Sequence, residues 1–369
     1  MGELWIVLAV SCGLAFLSEK YTFAWNGRPS KFLNAGIVVL LIIYLSLFAG
    51  LRTGYNDTYT YMSSYKAMQP FPDILTGFSW KLGNNPGFVL LNSLMKAAGF
   101  SAQTFVLLYS TLFVASAVSF LKRYSSSFTL SIFLFICANG YQFSMAAMKQ
   151  CTSIAIGILA IPYLLKRKWL AYGLIILAAA LFHPYILLFL LIPFLNFKPW
   201  TARTWLLLVV TAGAALFLPQ IITAAVDAAA LLGDGYDADN FMGEGVNIFR
   251  VLVASVPVFL TLIFRQKMFS EQITERENIF INCSFMYAAI MFIGLFGTAN
   301  YFGRLAKFFI LFPAVALPVI ITHLSRRDRR FLTAMMIVCY LAYFYYGNAI
   351  SENFASEFSR ITLWEYISH

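Results

Sequence analysis

The chain has 369 residues, of which 60% are apolar types and 11% are charged. A soluble domain runs at about 45–50% apolar and ~25% charged residues, and a chain of this length cannot hide so much apolar surface within its own volume. A water-soluble globule is therefore excluded, as is disorder, which needs the opposite balance. The net charge of +10, from 26 Lys and Arg against 16 Asp and Glu, comes with no basic run interleaved with stacking aromatics outside the apolar spans. It reads as loops held on the cytoplasmic side of a membrane and not as a nucleic-acid surface.

A transmembrane helix needs about 20 predominantly apolar residues. The chain offers twelve such stretches, near 3–19, 32–51, 103–121, 128–144, 146–165, 169–183, 184–197, 204–225, 248–264, 278–296, 305–323 and 331–349. The fold expected is all-α: one polytopic helix bundle of about 12 spans over 1–369, with long outer loops. The stretches 169–183 and 184–197 meet at His183-Pro184, where Pro ends or kinks a helix.

With the N-terminus outside, the inner loops hold Lys122-Arg123, Lys166-Arg167-Lys168 and the run Arg326-Arg327-Asp328-Arg329-Arg330. Most of the acidic residues fall outside, so the bias in Lys and Arg selects this orientation, and an even span count places the C-terminus outside too. Two outer segments are long: 52–102, whose part 87–98 suits an amphipathic interfacial helix, and 226–247, which is acidic and Gly-rich.

Cys12, Cys137, Cys151, Cys283 and Cys339 are odd in number, form no Cys-x-x-Cys pair and lie in apolar stretches, which reads as free thiols. No phosphate loop, His-Glu-x-x-His or Gly-x-Ser-x-Gly signature is present. The chemistry is therefore sought among cations that violate the charge bias. Arg52, Lys149, Arg250 and Arg304 stand at outer helix ends, where a cation needs a partner. Snorkelling to lipid phosphate is one reading; a lipid-linked diphosphate at that depth is the other, since Arg offers a bidentate fork and Lys a point charge.

His183, at an outer helix end beside Pro184 and Tyr185, has the titration range of a general base, although a packed His in an apolar setting is the more usual finding. Asp57 sits among Tyr55, Asn56, Tyr59 and Tyr61, either in a solvated turn or where aromatic faces meet sugar rings. Asp237-Ala-Asp239 has the Asp-x-Asp form of glycosyltransferase metal sites, and equally the form of an ordinary acidic loop.

Four pieces in order carry a resemblance to a family. They are Arg52 with Asn56-Asp57-Thr58 and Tyr61; Asn85-Pro86-Gly87-Phe88 with Leu90-Leu91; Met148-Lys149-Gln150 followed by Lys166-Arg167-Lys168 and Leu181-Phe182-His183; and Tyr301-Phe302-Gly303-Arg304 with Phe308-Phe309, Pro313 and Pro318. The chain thereby resembles the Wzy-type polysaccharide polymerases of the EpsG-like branch. Lys149 stands where that family often has Arg, and Asn85 where it often has an acid.

The resemblance implies a metal-independent, inverting glycosyltransferase without a cofactor. It would join oligosaccharide repeat units carried on undecaprenyl diphosphate, for a capsule, exopolysaccharide or O-antigen. It would work at the outer face of a bacterial plasma membrane, with donor, acceptor and bilayer as partners and a chain-length regulator and a flippase as candidate associates. Arg250 and Arg304 would bind the diphosphate with Lys149 and Arg52 assisting. His183, or else Asp57, would act as base, and Tyr55, Asn56, Tyr59 and Tyr61 would contact sugar. The alternatives are a glycan ligase using the same donor and a lipid-linked oligosaccharide flippase, although a transporter should gather charge near the midplane.

Overall fold

The computed structural model describes residues 1–20, 24–25, 28–29, 31–231, 241–269 and 273–368. Asp237, Asp239 and His369 lie outside the described residues. The fold is all-α, as expected from the apolar stretches. In chain order the helices are α1 (Gly2–Lys20), α2 (Lys31–Gly50), α3 (Thr58–Ala67), α4 (Pro86–Ala97), α5 (Ala102–Tyr124), α6 (Phe128–Cys137), α7 (Gly140–Ala146), α8 (Met148–Ile158), α9 (Ile161–Leu165) and α10 (Trp169–Ala180). A 3₁₀ run, Pro184–Leu195, precedes α11 (Ala202–Leu216), α12 (Leu218–Leu231), α13 (Ile248–Ile263), α14 (Arg265–Phe269) and α15 (Glu275–Ile293). Then come α16 (Arg304–Ala306), α17 (Leu311–Thr322), α18 (Arg326–Tyr345), α19 (Phe354–Glu357) and α20 (Leu363–Ser368). Among the described residues, four two- or three-residue strands make two small antiparallel pairs, β1 (Ala24–Trp25) with β2 (Arg28–Pro29), and β3 (Arg52–Gly54) with β4 (Ser359–Arg360).

Each of the twelve apolar stretches is helical, but crossing a membrane sets a stricter requirement. At 1.5 Å rise per residue a helix needs roughly 20 residues to span a hydrocarbon core of about 30 Å. Four helices among the described residues are long and apolar enough: Gly2–Lys20, Ala102–Tyr124, Met148–Leu165 and Arg326–Ser351. Three bent pairs raise the number to seven if each pair counts as one crossing. The pair α6–α7 bends by 50° at Asn139, whose φ of 60° is left-handed. The pair Ala202–Leu216 and Leu218–Ala224 bends by 78° before Pro219, and Ala299–Phe309 with Leu311–Thr322 by 52°. Four shorter apolar helices complete the set: Asn34–Gly50, Trp169–Ala180, Pro184–Leu195 and Ile248–Ile263.

The chain divides into two compact units: Met1–Leu190 with Met335–His369, and Leu191–Ala334. In the first, α5 is central and packs on α2, α3 and α8, α8 packs on α10, and α1 packs on α2 and α6. At one end of this unit Lys122 Nζ donates to the Ser18 carbonyl at 3.0 Å, and Glu19 accepts from the Thr129 amide at 2.7 Å. At the other end Gln103 Nε2, in the first turn of α5, donates to the Gly50 carbonyl at 2.8 Å. There the C-terminal segment pairs with β3, the Ile361 amide donates to the Leu51 carbonyl at 2.9 Å, and Arg360 pairs with Glu3 at 3.4 Å. The start of α1 and the segment 359–361 therefore lie at the end of the first unit that carries Arg52.

In the second unit α15 packs on α11, α13 and α17. One end is tied by Glu275 with Asn196, Glu277 with His323, and Lys267 with Asp328. The opposite end is built from residues 241–247 laid along 294–304.

Candidate functional site

The segment Arg52–Tyr61 leaves α2, forms β3, turns at Asn56 with a left-handed φ of 48° and enters α3 at Thr58. The Arg52 side chain folds inward and is 0% exposed. Its Nε donates to Thr58 Oγ1 at 2.9 Å and its Nη1 to Ser110 Oγ at 2.8 Å and to the Ala49 carbonyl, while Nη2 has no partner among the described residues. All three acceptors are neutral. A charge is costly to bury without a counter-charge, and burial pulls this guanidinium down to about 10, still well above neutral pH. Arg52 is thus an interior cation, where the sequence suggests one at the membrane edge.

The neighbouring residues take separate positions. Tyr55 is 4% exposed, with its ring 5.0 Å from that of Phe354, so its face is covered by the C-terminal segment. Asn56 is exposed, Asp57 half-buried, and Tyr59 is 76% exposed. Tyr61 is half-buried, its ring 6.2 Å from that of Phe88, and its phenol lies close enough to Arg52 to act on the charge.

Pro86 opens α4 at a position where its missing N–H costs nothing. The next amide, Gly87, donates to the Leu181 carbonyl at 2.8 Å, and a Cβ on Gly87 would stand 2.8 Å from the Leu181 Cβ. Only glycine lets the two backbones approach this closely. The contact pins the start of α4 to the end of α10, two residues before His183. The His183 carbonyl accepts from Ser153 Oγ at 3.3 Å, and its half-buried ring lies 5.2 Å from that of Tyr185.

Phe88, one step further, is 4% exposed and packs with Tyr65, Phe105, Tyr109 and Met148, with Tyr61 and Phe182 at the edge. Lys149, at the start of α8, holds its ammonium 5.5 Å from the centre of the Phe88 ring. The first two motif pieces and the Met148–Gln150 and Leu181–His183 parts of the third thus meet at one end of the first unit, while Lys166-Arg167-Lys168 follows the far end of the helix Met148–Leu165.

The fourth piece and Arg250 lie in the second unit. Asn247 caps α13 by accepting from the Phe249 amide at 2.9 Å, which puts half-buried Arg250 in the first turn. The segment before it is bonded along 294–299: the Val246 amide donates to the Gly294 carbonyl at 2.7 Å, and the Ala299 amide to the Glu244 carbonyl at 2.8 Å. A π-helical turn, Ala299–Gly303, buries Phe302 against Leu218 and Ile222 and leaves Arg304 exposed directly after it. A Cβ at Gly303 would lie 3.6 Å from the Val246 side chain. Arg250 and Arg304 therefore follow two adjoining stretches of backbone at the same end of this unit.

Ser110 and Thr58 as anchors of Arg52, Phe88 under Lys149, and Phe354 and β4 over the 52–55 segment are not evident from the sequence. Thr58 lies within the first motif piece, and Phe88 within the second. Ser110 is one polar residue in an apolar helix, and the C-terminal segment is far away along the chain. Among the described residues no three His, Cys, Asp or Glu side chains cluster as a metal-ligand set.

A family model described as the EpsG family matches residues 37–363. The chain matches none of the curated proteins and none of the solved structures with which it was compared.

Proposed function

The chain belongs to the EpsG family, and from that premise we propose that it is a polysaccharide polymerase-like glycosyltransferase that joins oligosaccharide repeat units carried on undecaprenyl diphosphate at the outer face of a bacterial plasma membrane. The observation that supports this reading most directly is the state of the cations in the first unit. Arg360, opposite Arg52 in the β3–β4 pair, is paired with Glu3, and Lys267 in the second unit with Asp328. Arg52 and Lys149 have no carboxylate partner among the described residues: Arg52 bonds to Thr58, Ser110 and the Ala49 carbonyl, and Lys149 stands over Phe88 in the aromatic cluster next to the His183 turn. Positive charge kept un-neutralised, buried at Arg52 and half-buried at Lys149, suits an anionic ligand.

The chemistry follows from the donor. A hydroxyl oxygen of the acceptor sugar attacks C1 of the donor sugar, the bond between C1 and the diphosphate oxygen breaks, and the electron pair leaves on the diphosphate. A single displacement of this kind inverts the anomeric centre. The hydroxyl proton passes to a base, His183 in first place and Asp57 in second. Arg250 and Arg304 take the charge that grows on the leaving diphosphate, and Lys149 and Arg52 assist. In this reaction cationic side chains do the work that a metal ion does elsewhere. Exposed Asn56 and Tyr59 and half-buried Tyr61 offer sugar contacts; Tyr55 serves that role only if Phe354 moves off its ring.

The test supplies purified protein with a defined undecaprenyl-diphosphate repeat unit and separates the products by size. A ladder is expected, it persists in EDTA, and His183→Ala, Arg250→Ala and Arg304→Ala each abolish it while the protein stays folded. No ladder from the wild-type chain, or full ladders from all three variants, would overturn the proposal.

A further inference from the structure

The piece Asn85-Pro86-Gly87-Phe88 has no role in the reaction as described. Its geometry gives it one. Pro86 and Gly87 fix the start of α4 on the Leu181 carbonyl, and this places the Phe88 ring with little freedom. The ring is held on further sides by Tyr109 at 5.0 Å and by Phe105 and Tyr61 at 6.2 Å each. Tyr109 is itself tied back to α4, its hydroxyl donating to Asn92 Oδ1 at 2.7 Å. The Lys149 ammonium stands over the Phe88 ring, 5.5 Å from its centre. Among the described residues Lys149 has no hydrogen-bond acceptor and no carboxylate.

A carboxylate beside a lysine would steady it but also neutralise it. An aromatic face steadies an ammonium through the ring quadrupole and leaves its three N–H donors and its full charge available. We propose that Phe88 is a positioning residue: its ring holds the Lys149 ammonium in place of a counter-anion, so that the cation meets the diphosphate of the lipid-linked donor ordered and un-neutralised. This rests on the polymerase reading for the identity of the anion, and on the structure alone for the contact between ring and ammonium. It assigns the Pro-Gly pair as well, since those two residues deliver the ring to its place.

The experiment compares Phe88→Leu, and Phe88 replaced by a ring-fluorinated phenylalanine that keeps the shape but withdraws charge from the face, with the wild-type protein. Each is first checked for folding by its thermal transition in detergent. Initial rates of ladder formation are measured against donor concentration. Both replacements are expected to raise KM for the donor about three- to tenfold with kcat little changed, the size expected of a half-buried cation–π contact. In parallel, acylation of lysines by a water-soluble reagent is followed by mass spectrometry, and Lys149 should react faster in both variants than in the wild-type chain while Lys66 and Lys81 are unchanged. A fluorinated protein that matches the wild type in both KM and labelling, whether or not Phe88→Leu is impaired, would reduce Phe88 to packing and overturn the proposal. If the wild-type chain makes no ladder, it is the polymerase reading that fails, and the labelling rates alone decide whether the ring holds the ammonium.

Discussion

A guanidinium buried among neutral groups costs the fold free energy, and Arg52 is such a group: 0% exposed, bonded to Thr58, Ser110 and the Ala49 carbonyl, with Nη2 unmatched. The sign follows from linkage. The folded value of about 10 lies below that of an unfolded arginine, so the charged form is the one the fold disfavours. The cost is present at neutral pH and relieved only as pH rises through about 10. Arg52→Met exchanges hydrogen bonds to neutral partners for the removal of that cost. Its stability should stay within about 1 kcal/mol of wild type, while ladder formation is lost. A thermal melt and the polymerisation assay on one preparation check both halves, and a large drop in stability would mean that Arg52 is a structural strut. Gly87→Ala should behave in the opposite way. Its Cβ meets Leu181 at 2.8 Å, and opening that contact costs about 1–3 kcal/mol, read as a lowered melting temperature. The sequence announces that Arg52 and Gly87 stand in special places. It does not disclose that Arg52 turns inward, because that depends on Ser110, a lone hydroxyl in α5, and on Phe354 and Phe358 closing over the segment from the far end of the chain.

At the level of elements, what was legible is what composition alone determines: apolar runs become helices because every backbone polar group in lipid must be satisfied within its own segment. The break at Pro184 and the helix beginning at Pro86 follow from proline's geometry. The bends were less legible. Asn139-Gly140 and Pro219 are turn and breaker signals embedded in runs whose hydropathy does not change, and an apolar count passes over them. The helix α3 was also missed, because Tyr, Thr and Ser give it no apolar stripe. The capping of α15 provides a test at this scale. Thr274 Oγ1 accepts from the Glu277 amide, the Glu277 carboxylate accepts in return from the Thr274 amide at 2.8 Å, and His323 Nε2 lies 3.3 Å from that carboxylate. Burial alone would raise the Glu277 carboxyl, but the two Thr274 bonds and His323 outweigh it and hold it below the usual range. A carboxyl depressed in the folded state contributes stability above its unfolded value, about 4.3, and loses it as pH falls through the folded value. Glu277→Gln keeps a capping amide but cannot titrate, so its melting temperature should fall less steeply than wild type as pH drops below about 5, from the unfolded carboxyl value of about 4.3 down through the lower folded one. Thr274→Ala should cost about 1 kcal/mol at every pH. Parallel acid profiles for the two variants would refute this account of the cap.

At the scale of the molecule, charge asymmetry and geometry meet in the first unit. Lys122 and Arg123 lie in the last turn of α5, at the end where Ser18 and Glu19 sit, whereas Arg52, the start of α5, the start of α1 and the segment around Arg360 share the opposite end. Positive residues stay on the cytoplasmic side because carrying them across the bilayer is costly. The expected orientation therefore puts the Lys122–Ser127 turn inside, and Asn56, with the motif pieces around Phe88, outside. The prediction can be checked with single cysteines. Among the described residues Cys137, Cys151 and Cys283 are buried, so replacing Cys12 and Cys339 with Ala leaves a quiet background. Asn56→Cys and Ser126→Cys are both at exposed positions, on opposite ends of α5. In sealed right-side-out vesicles a membrane-impermeant thiol reagent should label Asn56→Cys at once, and Ser126→Cys only after the vesicles are opened. The reverse pattern would put the candidate site on the cytoplasmic face and overturn the outer-face reaction. Labelling of both in sealed vesicles would mean that these ends do not lie on opposite sides, so that α5, apolar and long enough to cross, does not do so.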